Sequence, residues 1–219
     1  RSSVTLRLLS VHAHPDDESS KGAGTLAYYR SRGAEVMVVS CTGGEEARVL
    51  NEQLPADALA MAGRDLPGLR RIEMARAAAV MGIQHRWLGF VDSGWPEDGE
   101  PEPANSFASI PLKVSAEPLV KIMREFRPQV LITYDEEGGY PHPDHVRTHE
   151  LSIYAREAAA DPARYPDAGP AWKIDKTYYD RVFNGPRVNA MYQALVEREG
   201  EDSELVKEIG EIRRWFDRP

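Results

Sequence analysis

The sequence predicts an α/β fold, a Rossmann-like and mostly parallel sheet flanked by helices. Short β-branched apolar runs alternate with helical patterns over the first 180 residues, and that alternation builds parallel sheets covered on both faces. The first strand, helix and strand are complete by Cys41, the size of one right-handed crossover unit. Five of the six histidines fall in two short windows, 12–14 and 142–149. Both windows lie just past a predicted strand, at the edge where open parallel sheets bind their ligands.

Val4 to His12 (VTLRLLSVH) and Glu35 to Cys41 (EVMVVSC) read as buried strands, being continuous apolar runs rich in branched side chains. Ser20 to Arg32 between them reads as a helix, with Gly33 as its left-handed stop. Leu69 to Met81 is a second helix, closed by Gly82, and His85 to Phe90 a third strand. In Ser115 to Phe126 the apolar Leu119, Ile122, Met123 and Phe126 recur at helical spacing. Gln129 to Tyr134 is the next strand, and a loop from Asp135 to Asp144 leads to a helix beginning near His145. Thr177 to Phe183 is a fifth strand. Arg48 to Pro67 and Ser93 to Pro111 carry little strand signal and are expected as exposed loops beside a site. From about residue 186 the pattern becomes helical: Pro186 to Glu199, then Ser203 to Asp217 with Leu205, Ile209, Ile212 and Phe216 along one stripe.

The chain of 219 residues carries 27 Lys and Arg against 35 Asp and Glu, a formal charge of −8. No more than two basic residues are ever adjacent, so a nucleic-acid partner is not expected, because backbone recognition needs clustered cations. A membrane partner is not expected either: no stretch approaches the roughly 20 apolar residues of a span, and Arg1 to Ser10 lacks a signal-peptide core. The expected address is the cytoplasm and the expected partner a small molecule. The single cysteine, Cys41, makes neither an internal disulfide nor a thiolate zinc site. Any metal must therefore be held by His and carboxylate.

The loops at 13–18 (AHPDDE) and 138–145 (GGYPHPDH) supply those groups. Catalytic zinc takes three such ligands and keeps one position for water. His14 with one of Asp16 or Asp17 offers two ligands, and His142 or His145 the third. The remaining carboxylate is then free to act as base to a water whose pKa zinc lowers to about 7. A plain helix N-terminus would account for Asp16, Asp17 and Glu18, but for neither His14 nor the second loop. His12 lies within a strand and reads as a buried, hydrogen-bonded core histidine; His149, one turn after His145, offers a fourth ligand by spacing but reads mainly as a neighbour of the site or a surface residue, and His85 as structural. Gly22-Ala23-Gly24 lacks the third glycine of a dinucleotide loop. Arg213, Arg214 and Trp215 read as part of a solvated helix face.

The two loops, in that order and with the first after the opening strand, resemble the PIG-L/LmbE family of zinc-dependent N-deacetylases and amidases. The longer stretches HAHPDDESSKGAGT, GFVDSGWPEDG and TYDEEGGYPHPDHVRTHE are most similar to its amidase branch. The resemblance implies an LmbE-like fold forming one domain over 1–219, and a chain that lacks the family's C-terminal segment. It implies His14, Asp17 and His145 as ligands of one zinc, or of ferrous iron in cells, with Asp16 as general base. It makes His142 the second catalytic histidine, acting in its protonated form, and Tyr140 the residue that polarises the scissile carbonyl. Asp144 would orient His142 or His145. Lys21, Arg70 or Arg71, and Asp92 would meet substrate hydroxyls or carbonyls. The implied substrate is a thiol-sugar conjugate, cleaved at the amide between glucosaminyl-inositol and an S-substituted N-acetylcysteine to release a mercapturic acid. The alternative is deacetylation of an N-acetylglucosaminyl compound. A sugar-binding module without activity would be expected to have lost a ligand or the base.

Overall fold

The computed structural model describes residues 5–49, 51, 53–97, 99–181 and 184–216, without the side chains of Trp215 and Phe216. The chain divides into two compact units, Arg1–Asp180 and Arg181–Pro219.

The first unit is built on five strands: β1 (Arg7–His12), β2 (Glu35–Thr42), β3 (Gln84–Phe90), β4 (Val130–Thr133) and β5 (Lys176–Tyr179). They pair in the order β3-β2-β1-β4-β5, and every pairing is parallel. The expected fold class is therefore met, with no antiparallel edge among the described strands. Helices α1 (Asp17–Ser20), α2 (Ala23–Ser31), α3 (Ala56–Met81), α4 (Leu112–Phe126) and α5 (Pro143–Ala160) connect the strands and cover the sheet.

Successive strand residues point to opposite faces, and the core divides accordingly. Leu9, Val11, Met37, Val39 and Leu131 pack with Leu119, Met123, Leu151 and Ala155 from α4 and α5. Leu8, Val36 and Val38 pack with Leu26, Met74 and Ala78 from α2 and α3. Because β1 and β2 are buried on both sides, their sequences run apolar without alternation.

The differences from expectation have local causes. The helix expected over Ser20 to Arg32 is broken at Gly22, whose φ is 89°, into α1 and α2. The stretch from Arg48 to Pro67 is not all loop: α3 begins at Ala56 and is interrupted at Asp65 (φ −153°, ψ 76°), two residues before Pro67. Its Ala-rich opening turns are strong helix formers, which outweigh the polar residues among them. The segment Ser93 to Pro111 is irregular as expected but not wholly exposed, since Phe107 is fully buried and stacks on Phe90 with ring centroids 5.3 Å apart. Val4 and Phe183, expected at strand ends, lie outside the described residues, as do the Phe216 side chain and Asp217 to Pro219.

The second unit contains α6 (Gly185–Glu199) and α7 (Glu204–Phe216). Among the described residues no helix is long and apolar enough to cross a membrane.

Candidate metal centre

β1 and β4 are neighbours at the middle of the sheet, and the loops leaving their carboxyl ends meet. The first loop turns sharply at Asp16, a non-glycine residue with φ 113°. The second turns at Gly138 (φ 71°), where an added Cβ would stand 2.7 Å from His145 Cβ. Only glycine allows the backbone so close, and that approach sets the orientation of His145. The Gly138 carbonyl lies 3.0 Å from His145 Nδ1, accepts its proton, and leaves the Nε2 lone pair facing Asp17 Oδ2 at 3.4 Å.

His14 is oriented in the same way from the other side. Its Nε2 lies 3.2 Å from Asp144 Oδ2 and 3.6 Å from Asp92 Oδ1, and its Nδ1 lies 3.6 Å from Asp17 Oδ2. Asp17 itself is buried and held by the His14 backbone N–H at 2.9 Å, the Tyr134 hydroxyl at 2.9 Å and Lys21 Nζ at 2.5 Å. Burial alone would raise its pKa, but hydrogen bonding and charge from His145, Lys21 and His14 hold it well below the usual carboxylate range. His14, Asp17 and His145 thus form one group with ligand atoms within 4.8 Å of one another. In each histidine the nitrogen turned away from Asp17 is tied to an acceptor, as ligating imidazoles require.

The residues fit a cation on two further counts. Asp144 Oδ1 is buried without a hydrogen-bond partner among the described residues. Burial would lower the His14 pKa, yet Asp144, Asp92 and Asp17 raise it to about 10. A proton on His14 thus neutralises a site with excess negative charge. A second group, His14, His142 and Asp144, also lies within ligand distance, but it shares His14 with the first. Its His142 Nδ1 is already engaged as the cap of α5, accepting the Asp144 backbone N–H at 3.1 Å.

Around the group lies a cleft of about 220 Å³ lined by Asp16, Glu46, Arg70, Asp92, Trp95, Tyr140 and His142, among others. The Asp16 side chain is 71% exposed, and its Oδ2 meets Arg70 Nη2 at 2.7 Å. Arg70 also donates to the carbonyls of Gly44 and Pro15, bracing the first loop. The Tyr140 hydroxyl lies 3.0 Å from His145 Nε2; burial first, then the surrounding carboxylates, raises its pKa. His142 sits edge-on to His14 with ring centroids 4.8 Å apart. Its pKa is lowered to about 4, by burial first and then by the His14 charge. With Nδ1 accepting a backbone proton, its neutral form carries the proton on Nε2, which differs from the expected imidazolium.

Three other expectations change. Lys21 is buried against Asp17, not presented to the cleft, and its Nζ lies 5.9 Å from the Tyr134 ring centroid and 5.7 Å from that of Tyr140. Of the two arginines only Arg70 reaches the cleft. Arg71, about 100° further round the helix, is exposed and lies over the Trp87 ring at 5.6 Å. Asp144 orients His14 through its side chain and His142 through its backbone N–H, and has no recorded side-chain bond to His145. His12 is a core histidine, between Ser10 and Tyr134. His149 bonds the Tyr134 carbonyl, and His85 bonds Ser40. Two side chains were not anticipated. Tyr134 reads in sequence as the last residue of an apolar strand. Trp95, 62% exposed, lines the cleft from within the DSGW sequence, where nothing local marks it as a site residue.

A family model described as "PIG-L: GlcNAc-PI de-N-acetylase" matches residues 9–156, the span that holds every one of these groups. The chain belongs to the PIG-L family. Among its relatives is a mycothiol S-conjugate amidase of Streptomyces coelicolor, 49% identical over 197 residues that cover 88% of this chain and 67% of that protein. Another is a 1D-myo-inositol 2-acetamido-2-deoxy-alpha-D-glucopyranoside deacetylase of Streptomyces avermitilis, 45% identical over 80% of this chain and 61% of that one. The chain spans between about half and two thirds of the length of the curated relatives it matches. The N,N'-diacetylchitobiose deacetylase of Pyrococcus horikoshii, solved with an inhibitor, shares the fold at TM-score 0.63 and 21% identity, covering 92% of this chain and 73% of that one. So does a 4-carboxy-2-hydroxymuconate hydratase of Pseudomonas putida, at TM-score 0.60 and 18% identity, over 80% of this chain and 65% of that one. The PIG-L fold therefore does not decide the reaction; the side chains at the sheet edge must.

Proposed function

We propose that this protein is a zinc-dependent amide hydrolase that cleaves mycothiol S-conjugates to a mercapturic acid and glucosaminyl-inositol. The observation that carries the reading is the convergence of His14, Asp17 and His145, each oriented by a second partner, beside an exposed carboxylate. The relative named as such an amidase, at 49% identity, supplies the substrate class.

His14, Asp17 and His145 would hold a zinc ion, which would supply a Lewis acid able to bring the pKa of a water near 7. Asp16, with Oδ2 held by Arg70, takes the proton of the attacking water on Oδ1 and returns it to the leaving nitrogen as the amide C–N bond breaks. The Nε2–H of His142 and the hydroxyl of Tyr140 donate to the carbonyl oxygen as negative charge develops there. Tyr140 leaves its contact with His145 Nε2 to do so. Asp92 and Trp95 line the cleft where the sugar lies.

Deacetylation of N-acetylglucosaminyl-inositol is the second reading, favoured by the 45% identical relative named for that reaction. The same groups serve it, with an acetyl in place of the cysteinyl acyl group. The deciding experiment compares a mycothiol S-conjugate with N-acetylglucosaminyl-inositol on metal-quantified protein. Faster release of a mercapturic acid supports the first reading, faster release of acetate selects the second, and turnover of neither after zinc loading overturns both.

A further inference from the structure

A phenol oxygen has one proton to give and two lone pairs to offer, and Tyr134 Oη meets three partners. They are the Ala13 backbone N–H at 3.1 Å, His12 Nδ1 at 3.1 Å and Asp17 Oδ2 at 2.9 Å. The Ala13 N–H can only donate and the Asp17 carboxylate can only accept. The phenol proton therefore goes to Asp17, and the second lone pair requires a proton on His12 Nδ1. His12 Nε2 is then an acceptor, and Ser10 Oγ stands 2.8 Å from it. Ser10, His12, Tyr134 and Asp17 are all buried, so water does not offer these groups an alternative. The chain of donors runs one way, from Ser10 through His12 and Tyr134 to Asp17. The Tyr134 ring also lies parallel to the His145 ring, with centroids 4.5 Å apart and planes 9° apart.

We propose that Tyr134 is a positioning residue for the metal centre. Its hydroxyl, polarised by His12, fixes the Asp17 carboxylate while its ring fixes His145. This inference rests on the metal reading given above. Neither His12 nor Tyr134 reaches the cleft, so their effect is exerted on the cation and not on the substrate.

The test measures affinity for Zn²⁺ by chelator competition and geometry by the visible absorption of the Co²⁺ form, in the full chain. Tyr134→Phe keeps the ring and removes the hydroxyl; it is expected to bind Zn²⁺ about 10–100-fold more weakly, with an altered Co²⁺ spectrum. Asn places an amide N–H where His12 carries Nδ1, so His12→Asn is expected to stay within a few-fold of the parent protein. His12→Leu is expected to fall as far as Tyr134→Phe, and this pair carries the test if Tyr134→Phe does not fold. A folded Tyr134→Phe with parental affinity and spectrum overturns the inference. Equal losses in His12→Asn and His12→Leu overturn it too, by showing that only packing matters. If the parent protein takes up neither metal, the metal reading itself fails; tight binding by parent and variants alike sinks only the role of Tyr134.

Discussion

Two adjacent aspartates have been given different work, and the surroundings explain the division. Asp17 is buried with donors on both oxygens, whereas Asp16 is exposed, in a left-handed backbone conformation, with one oxygen on Arg70. Asp17→Ala is expected to abolish stoichiometric zinc, and activity with it. Asp16→Ala is expected to keep the metal while kcat falls roughly 10²-fold or more. Metal analysis alongside turnover checks both, and the reverse pattern would exchange the two roles. His142 makes a separate prediction. In the metal-free protein burial and then the His14 charge lower its pKa to about 4, and its Nδ1 accepts the Asp144 backbone N–H, so the neutral form with its proton on Nε2 is expected to serve and to contribute no alkaline limb. His142→Gln should therefore lower kcat while leaving the alkaline side of the pH profile where it was. A limb that moves or flattens would restore the imidazolium acid that the sequence suggested.

At the scale of elements, α5 connects the site to the frame. Its N-cap is His142, its first turn carries Asp144 and His145, and its last turn is gripped by Arg124 of α4. The Arg124 guanidinium donates to the carbonyls of Ala158, Ala159, Asp161, Arg164, Tyr165 and Gly169. A lysine has neither the fork nor the five donors needed to serve them. Arg124→Lys is therefore expected to destabilise the fold by about 3 kcal/mol, since buried carbonyls lose their partners, and the fall in Tm by calorimetry checks it. A change under 1 °C would show that the grip is redundant. Arg124 also marks what the sequence did and did not disclose. The α4 periodicity was legible because Leu119, Ile122, Met123 and Phe126 obey the helical period, but nothing local says that a cation between them satisfies another helix's carbonyls. The two candidate loops were legible because His and Asp were concentrated at strand ends, but that pattern left Asp16 or Asp17 and His142 or His145 open, and the choice of Asp17 and His145 came with the family resemblance. Tyr134 was not legible, since its apolar neighbours hide a hydroxyl whose partners lie 117 and 122 residues away. Lys21 was misplaced for a related reason: its charge suggests a surface, whereas a buried carboxylate one helical turn earlier claims it.

For the molecule as a whole, His12 and His85 on one side and His14 on the other have opposite effects on stability. Burial lowers His12 and His85 from the ordinary 6.5 to about 4. As pH falls from 6.5 toward 4 the unfolded chain takes up protons that the folded chain refuses, so stability is lost on acidification. One pKa unit is worth about 1.4 kcal/mol, so the loss between pH 7 and 5 is roughly 2 kcal/mol for His12 and less for the partly exposed His85. In the metal-free protein His14 has the opposite sign. Its pKa of about 10 gives a contribution that is complete below 6.5 and is lost as pH rises toward 10. Metal-free protein is therefore expected to reach its highest Tm near neutrality, and a Tm still climbing as pH falls from 7 to 5 would contradict this balance.

The order of the sheet also imposes a timetable. His14 and Asp17 follow β1 and His145 follows β4, so the proposed ligands become neighbours only when those two strands pair. On a ribosome adding about 5–20 residues per second, the roughly 130 residues between His14 and His145 take on the order of 10 s to appear. A nascent chain holds only two of the three proposed ligands for that interval. Metal uptake at the proposed site thus belongs to the end of folding, and a cell short of that metal would be expected to accumulate finished but unloaded chains, not unfinished ones.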